Sequence, residues 1–140
     1  MPSMQAVFYR MSDGSEPVDD VIERLSTARQ VAIDEKIGWL NRLQTTDPPL
    51  PFPHSSQVTG ELRELRCHYG TERYRVFYRR SENLFILLHI IRKNTGALPK
   101  AEITIAQERW ADFKARMNAA PRTPPRAAGH DAPPERRGTP

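Results

Sequence analysis

One cysteine, Cys67, and four histidines are spread over 140 residues. A single thiol excludes an intrachain disulfide, and so few scattered soft ligands build no recognisable zinc site, so no metal is expected. No run of about 18 or more apolar residues occurs, which excludes a membrane-spanning helix. The opening residues Met1-Pro2-Ser3-Met4 lack the basic-then-apolar pattern of a secretory leader, so a cytoplasmic protein is expected. The glycines, at positions 14, 38, 60, 70, 96, 129 and 138, never approach the spacing of a phosphate-cradling loop. With no G-x-S-x-G and no H-E-x-x-H either, the sequence argues against nucleotide hydrolysis, serine hydrolysis and zinc proteolysis, and it implies no cofactor.

What is present is charge, unevenly placed. The chain carries 21 Lys and Arg against 17 Asp and Glu. Residues 1–60 hold 5 cations and 8 anions, residues 61–100 hold 9 and 4, and residues 101–140 hold 7 and 5. Basic charge therefore collects in the middle. Of the 21 cations 17 are arginine, whose planar fork suits bidentate phosphate contact, although an arginine-rich codon bias gives the same count.

At 16.1 kDa the chain fits one domain. Residues 118–140 contain 6 of the 13 prolines and, as apolar side chains, only five alanines, so they are expected to form a disordered tail behind a folded domain of residues 1–117. Within that domain Gln5 to Arg10 reads as a strand that ends at the turn-like Ser12-Asp13-Gly14-Ser15. Pro17 suits the first turn of a short helix bearing Val18, Ile22 and Leu25, and Ser26 caps a second. From Thr27 to about Leu43 the residues Val31, Ile33, Ile37, Leu40 and Leu43 keep mostly to one helical face. Pro48, Pro49, Pro51 and Pro53 remove amide donors, so residues 46–58 read as a loop.

The period then changes. Three runs, Leu62 to Tyr69, Tyr74 to Tyr78 and Leu84 to Arg92, are separated by turn residues and predict an antiparallel meander. Leu65, Cys67 and Tyr69 alternate with Glu64, Arg66 and His68, whereas the last run is apolar at nearly every position and is expected to be central. Pro99 opens a final helix with Ile103, Ala106, Trp110, Phe113 and Met117 on one face. The predicted fold class is α+β, in the order β-α-α-β-β-β-α: a small antiparallel sheet with two N-terminal helices and one C-terminal helix.

The chemistry available lies on the strands. Arg63, Arg66, Arg73, Arg75, Arg79, Arg80 and Arg92, followed by Lys93 and Lys100, are interleaved with Tyr69, Tyr74, Phe77 and Tyr78. Such a surface attracts a polyanion, and strand alternation puts Arg75 and Arg79 on one face. Exposed strand faces also carry arginine for solubility and edge protection.

Taken in order, Glu61-Leu62-Arg63-Glu64-Leu65-Arg66, then Tyr74-Arg75-Val76-Phe77-Tyr78, then Leu87-Leu88-His89-Ile90-Ile91-Arg92-Lys93-Asn94 with Pro99 and a closing helix, the chain resembles the HigB branch of the RelE-type toxins. The likeness spans nearly all of residues 5–117. It implies a RelE-like fold and the toxin of a type II toxin–antitoxin system, a ribosome-dependent mRNA endonuclease held by a helix-turn-helix antitoxin. Members of this fold cut without metal, by attack of the ribose 2′-OH on the adjacent phosphate. On that reading Arg66, Arg75 and Arg92 stabilise the phosphorane electrostatically. Arginine cannot serve as a base, which leaves Lys93, His89, His68 or a tyrosine, with Lys93 favoured and His89 either an acid or a packed core residue. Arg73, Arg79, Lys100, Tyr69 and Tyr78 would bind RNA. The pattern departs from its relatives at Asn94 and Ala97, where lysines are common, which implies fewer phosphate contacts. Two other readings use the same fold: a ParE-like gyrase inhibitor, and a non-catalytic module that only binds its antitoxin.

Overall fold

In the computed structural model residues 3–93, 96–118 and 124–129 are described. The elements run β1 (Gln5–Phe8), α1 (Pro17–Glu23), α2 (Thr27–Asn41), β2 (Ser55–Thr59), β3 (Leu62–Tyr69), β4 (Glu72–Ser81), β5 (Leu84–Arg92), α3 (Lys100–Met117) and β6 (Arg126–Ala127). One six-stranded sheet has the order β2-β3-β4-β5-β1-β6. The α+β class holds, and the predicted elements occur in the predicted order with two further strands, β2 and β6, among them. The sheet itself is mixed rather than antiparallel, because β1 lies parallel to β5. That pairing buries all four residues of β1 and makes β5 an inner strand, as its unbroken apolar run requires.

Helices cover both sheet faces and create two cores. On one side Ile33, Ile37 and Leu40 of α2 and Val18 and Ile22 of α1 pack on Ala6, Phe8, Leu65, Cys67, Val76, Tyr78 and Leu87. On the other, Ala106 and Phe113 of α3 meet Val7, Leu62, Phe77, Ile86 and Leu88, with Ile103, Trp110 and Met117 at the margin. Pro17 sits in the first turn of α1, and the Ser26 hydroxyl caps α2 by accepting from the Arg29 amide. Val31, expected on the buried face of α2, is exposed. Two residues before Ile33, it falls about 200° around the helix from the buried stripe that Ile33 begins.

Three further features correct the sequence reading. Part of the proline-rich loop is a strand: once the prolines end at Pro53, residues Ser55–Thr59 pair with β3 as an edge strand, turning at Gly60 with φ +54°. A β-bulge interrupts β5. Phe77 of β4 faces His89 while Tyr78 faces Leu87, so Leu88 is the extra residue and side-chain parity switches there. His89 therefore leaves the face of Phe85 and Leu87 and joins that of Ile91.

The third correction concerns the tail. Residues 119–123 and 130–140 lie outside the described residues, but residues 124–129 are not disordered: Arg126 and Ala127 pair antiparallel with β1 and close its edge. Ala127 and Ala128 are buried, and the Ala128 amide donates to the Ala6 carbonyl at 2.9 Å. Arg126 reaches Glu16 at 2.9 Å and Asp19 at 2.5 Å and lies over the Phe8 ring. Asn41 ties both strands to α2, accepting from the Ala6 amide at 2.7 Å and donating to the Ala128 carbonyl at 2.9 Å. Alanine composition concealed this strand because pairing and ion pairs hold it, not side-chain burial alone.

Gly129 makes the docking testable. Its φ is +94°, and a Cβ there would meet Asn41 Nδ2 at 2.8 Å and Ile37 Cγ2 at 3.2 Å. Gly129→Ala is expected to raise hydrogen exchange at the Ala128 amide by about tenfold or more while leaving β3–β5 protected; unchanged exchange at Ala128 contradicts the docking.

Candidate nucleic-acid interface

The third helix covers only part of its sheet face. It packs on β5 and one end of β4 and leaves the other end of β3 and β4 open. On this open end alternation brings Glu64, Arg66 and His68 of β3 to the same side as Arg73 and Arg75 of β4. The register stacks them in rows: Arg66 opposite Arg75 opposite Ile91, and His68 opposite Arg73. The Lys93 amide donates to the Arg73 carbonyl at 2.8 Å, which extends the second row by one residue to Lys93. Cations directly opposite one another repel, so this arrangement needs a counter-charge.

Glu64 supplies it. Its Oε1 lies 2.7 Å from Arg75 Nε and 3.9 Å from Arg66, and its Oε2 accepts from the Ser56 hydroxyl at 3.0 Å. The Glu64 and Arg75 side chains are only 9% and 7% exposed, so the pair is buried. The short approach is a charge contact that lies off the hydrogen-bond axis, leaving Oε1 without a hydrogen bond. Arg66 Nε likewise makes none. Burial, followed by repulsion from Arg66, lowers the Arg75 pKa, and Glu64 opposes that shift. Burial, then Arg75, Arg66, Arg73 and Lys36, lowers the pKa of His68 below the ordinary histidine value. His68 thus sits among fixed cations that disfavour its protonated form. Against the cluster, Arg66 lies over the ring of Phe52, 5.0 Å from its centroid.

The remaining predicted site residues lie elsewhere. Arg92 is opposite Tyr74 and so faces the α2 side, exposed and 3.9 Å from Glu72. Tyr69 is on that same side, under the Arg29 guanidinium, which also holds Glu72 at 2.8 Å and, with the Tyr74 hydroxyl, lowers its carboxyl pKa to about 2. Tyr78 is buried, its hydroxyl 2.6 Å from that of Ser55, so it is a core residue with no face for a ligand. Arg79 shares the parity of Arg75 but lies at the other end of β4, over Trp110 and 3.2 Å from Glu61. Lys100 is exposed at the start of α3. His89 is clamped by α3: Arg109 donates to its Nδ1 at 3.1 Å and Nε2 contacts Glu102, while its ring stacks on Phe77. Arg109 can only donate, so the proton sits on Nε2 and both nitrogens are engaged. Of the common lysine positions, Asn94 lies outside the described residues and Ala97 is exposed.

Glu64 was the residue to which sequence reasoning gave no role, although its alternation with Arg66 and His68 carried the signal. Phe52 was hidden by its flanking prolines. Among the described residues no group of three or more His, Cys, Asp or Glu is arranged to hold a metal ion, and no helix is long and apolar enough to cross a membrane.

A mixed sheet backed by helices on both faces, with one end of a face left uncovered and carrying a row-ordered basic cluster, defines a small α+β protein. The family model for phage-derived Gp49-like proteins (DUF891) matches residues 20–111, and the chain belongs to that family, toxin-like proteins related to RelE and toxin–antitoxin systems. No curated protein matches the chain.

The buried pair sets an energetic expectation. Glu64→Ala leaves the Arg75 charge buried beside Arg66 and Arg73, and should destabilise the protein by about 3–5 kcal/mol in urea unfolding. The double variant Glu64→Leu with Arg75→Leu should recover most of that loss. Equal destabilisation by the single and double variants would show that the carboxylate does not serve the arginines.

Proposed function

We propose that the protein is the toxin of a type II toxin–antitoxin system and cleaves mRNA on the ribosome without a metal ion, restrained by a helix-turn-helix antitoxin. One observation carries this reading: Arg66, Arg73, Arg75, His68 and Lys93 share one open sheet face around a single buried carboxylate. Family membership supports the toxin and antitoxin parts of it.

The proposed reaction follows from the inventory. Neutral His68 takes the proton of a ribose 2′-OH, whose oxygen attacks the adjacent phosphorus. The bond to the 5′-oxygen breaks, Lys93 returns a proton to that leaving oxygen, and the products carry a 2′,3′-cyclic phosphate and a 5′-OH. Arg66, whose side chain is partly exposed beside the buried pair, contacts the phosphoryl oxygens in the crowded transition state through its outer guanidinium nitrogens. Buried Arg75 contributes fixed positive potential and disfavours the protonated form of His68. The base is thus assigned to His68 rather than to the lysine favoured from the sequence, because its lowered pKa suits proton abstraction near neutrality. Arg92 has no part in this arrangement.

Expression in a bacterial host is expected to arrest growth and to produce cuts in translated mRNA by primer extension. Arg66→Ala and His68→Ala should each reduce cutting by about 10²–10³-fold. Growth arrest without cuts would favour gyrase or another bound target, and soluble protein without arrest would favour a module that only binds. The pH profile has a definite sign: cutting should fall as pH drops through the His68 pKa, and that acid limb should lie below the one an ordinary histidine would give. Arg66→Gln should move that acid limb upward, since one depressing cation is gone; an unmoved limb would remove His68 from the base role.

A further inference from the structure

We propose that Phe52 is a stacking platform for a nucleobase of bound single-stranded RNA, placed beside the phosphate-binding cations and outside the cleavage chemistry. The inference rests on the RNA-cleaving reading above and names how the substrate would be positioned. Phe52 is 68% exposed, against no more than 38% for any other large apolar side chain among the described residues. It stands in Pro51-Phe52-Pro53, whose proline rings fix their own backbone angles. The segment is tied to the sheet directly behind it, because the His54 carbonyl accepts from the Arg66 amide at 2.8 Å and the His54 amide donates to Pro51 at 3.0 Å. An isolated aromatic ring is thus held out in solvent on a short, anchored loop, one residue from the strand ladder of the basic cluster.

Its neighbours give the occupant. One side of the ring meets the Arg66 guanidinium, whose own contact with Glu64 leads back to Arg75. Along the chain the His54 ring lies tilted against Trp39, with centroids 4.2 Å apart. Lys36 lies over Trp39 at 4.7 Å and donates to His54 Nδ1 at 3.0 Å. Three rings, Phe52, His54 and Trp39, therefore lie between two cations, Arg66 and Lys36, from the sheet face around the β2 end. Ring faces flanked by positive charge match a single strand, whose bases stack while its phosphates meet cations. An apolar protein segment would bring no anion to the two cations that flank the rings, so RNA fits this strip better than a hydrophobic helix does.

The test uses the full chain and a fluorescent 2′-O-methyl RNA octamer, which cannot be cleaved, with binding read by anisotropy at fixed low salt. Phe52→Ala is expected to weaken binding by about tenfold or more, and Phe52→Tyr to retain it. With an octamer of the same length made wholly of abasic units, Phe52→Ala and wild type should bind alike, whereas Arg66→Ala should still bind more weakly. Equal affinity of Phe52→Ala and wild type for the base-bearing octamer overturns the proposal. So does an equal loss on both octamers, or loss of antitoxin binding with RNA binding intact, and so does a wild-type protein that binds neither. The RNA-cleaving reading is decided separately by cuts in translated mRNA, so a Phe52 variant that binds and cuts like wild type defeats this inference alone.

Discussion

Everything distinctive about the open face depends on one buried carboxylate. Arg66 and Arg75 are directly opposite in the β3–β4 ladder, with Arg73 next in line, an arrangement that self-repels in a partly dry environment. Glu64, 2.7 Å from Arg75 and held by Ser56, makes that crowding tolerable. A buried pair of this kind adds little net stability compared with apolar residues of similar volume. What it provides is position: guanidinium groups fixed before an anion arrives, a preorganised potential rather than mobile surface charge. Partial burial, and after it the same potential, lowers the pKa of His68.

The fold delivers that face through parity and coverage. The third helix is anchored by Ala106 and Phe113 on one side and by the Glu102–His89–Arg109 contacts at the bulge in β5. Because it covers β5 and one end of β4, the far end of β3 and β4 is not covered by a helix, and there Arg73 is exposed and Arg66 and Lys93 partly so, while Arg75 stays buried. The other sheet face is closed by α1 and α2, and its β1 edge by the strand at Arg126–Ala127. An edge sealed from within leaves one functional surface on the sheet rather than two.

Much of this was legible in the sequence, and the exceptions have physical causes. Helical spacing located all three helices, two-residue alternation located β3, and runs of strand-forming residues bounded by turns located β1, β4 and β5. Alternation also placed Arg66 and Arg75, and, read strictly, it sets Tyr69 with Leu65 and Cys67 on the covered side. Arg92 requires the bulge at Leu88 to be known before its face can be assigned, and a bulge is a property of two strands in register, not of one segment. Strand β2 was masked by preceding prolines and by the polar pattern of an edge strand. The docked residues 124–129 rely on Asn41, Glu16 and Asp19, distant in sequence, so local composition pointed the wrong way. Glu64 was visible as a letter but not as a role, because burial beside Arg75 appears only once the strands pair.

The central claim is that this preorganised cluster breaks RNA by internal transesterification, and the ends of the cut RNA test it most directly. Purified protein would be added to a reconstituted translation reaction, the message recovered, and its new termini assayed by phosphorylation with and without prior phosphatase treatment. The account predicts 5′-hydroxyl ends that accept phosphate without phosphatase, paired with 2′,3′-cyclic phosphates, and their disappearance with Glu64→Leu/Arg75→Leu, the variant expected to retain most of its stability. Cuts with 5′-phosphate ends, or cuts undiminished in that variant, would contradict it.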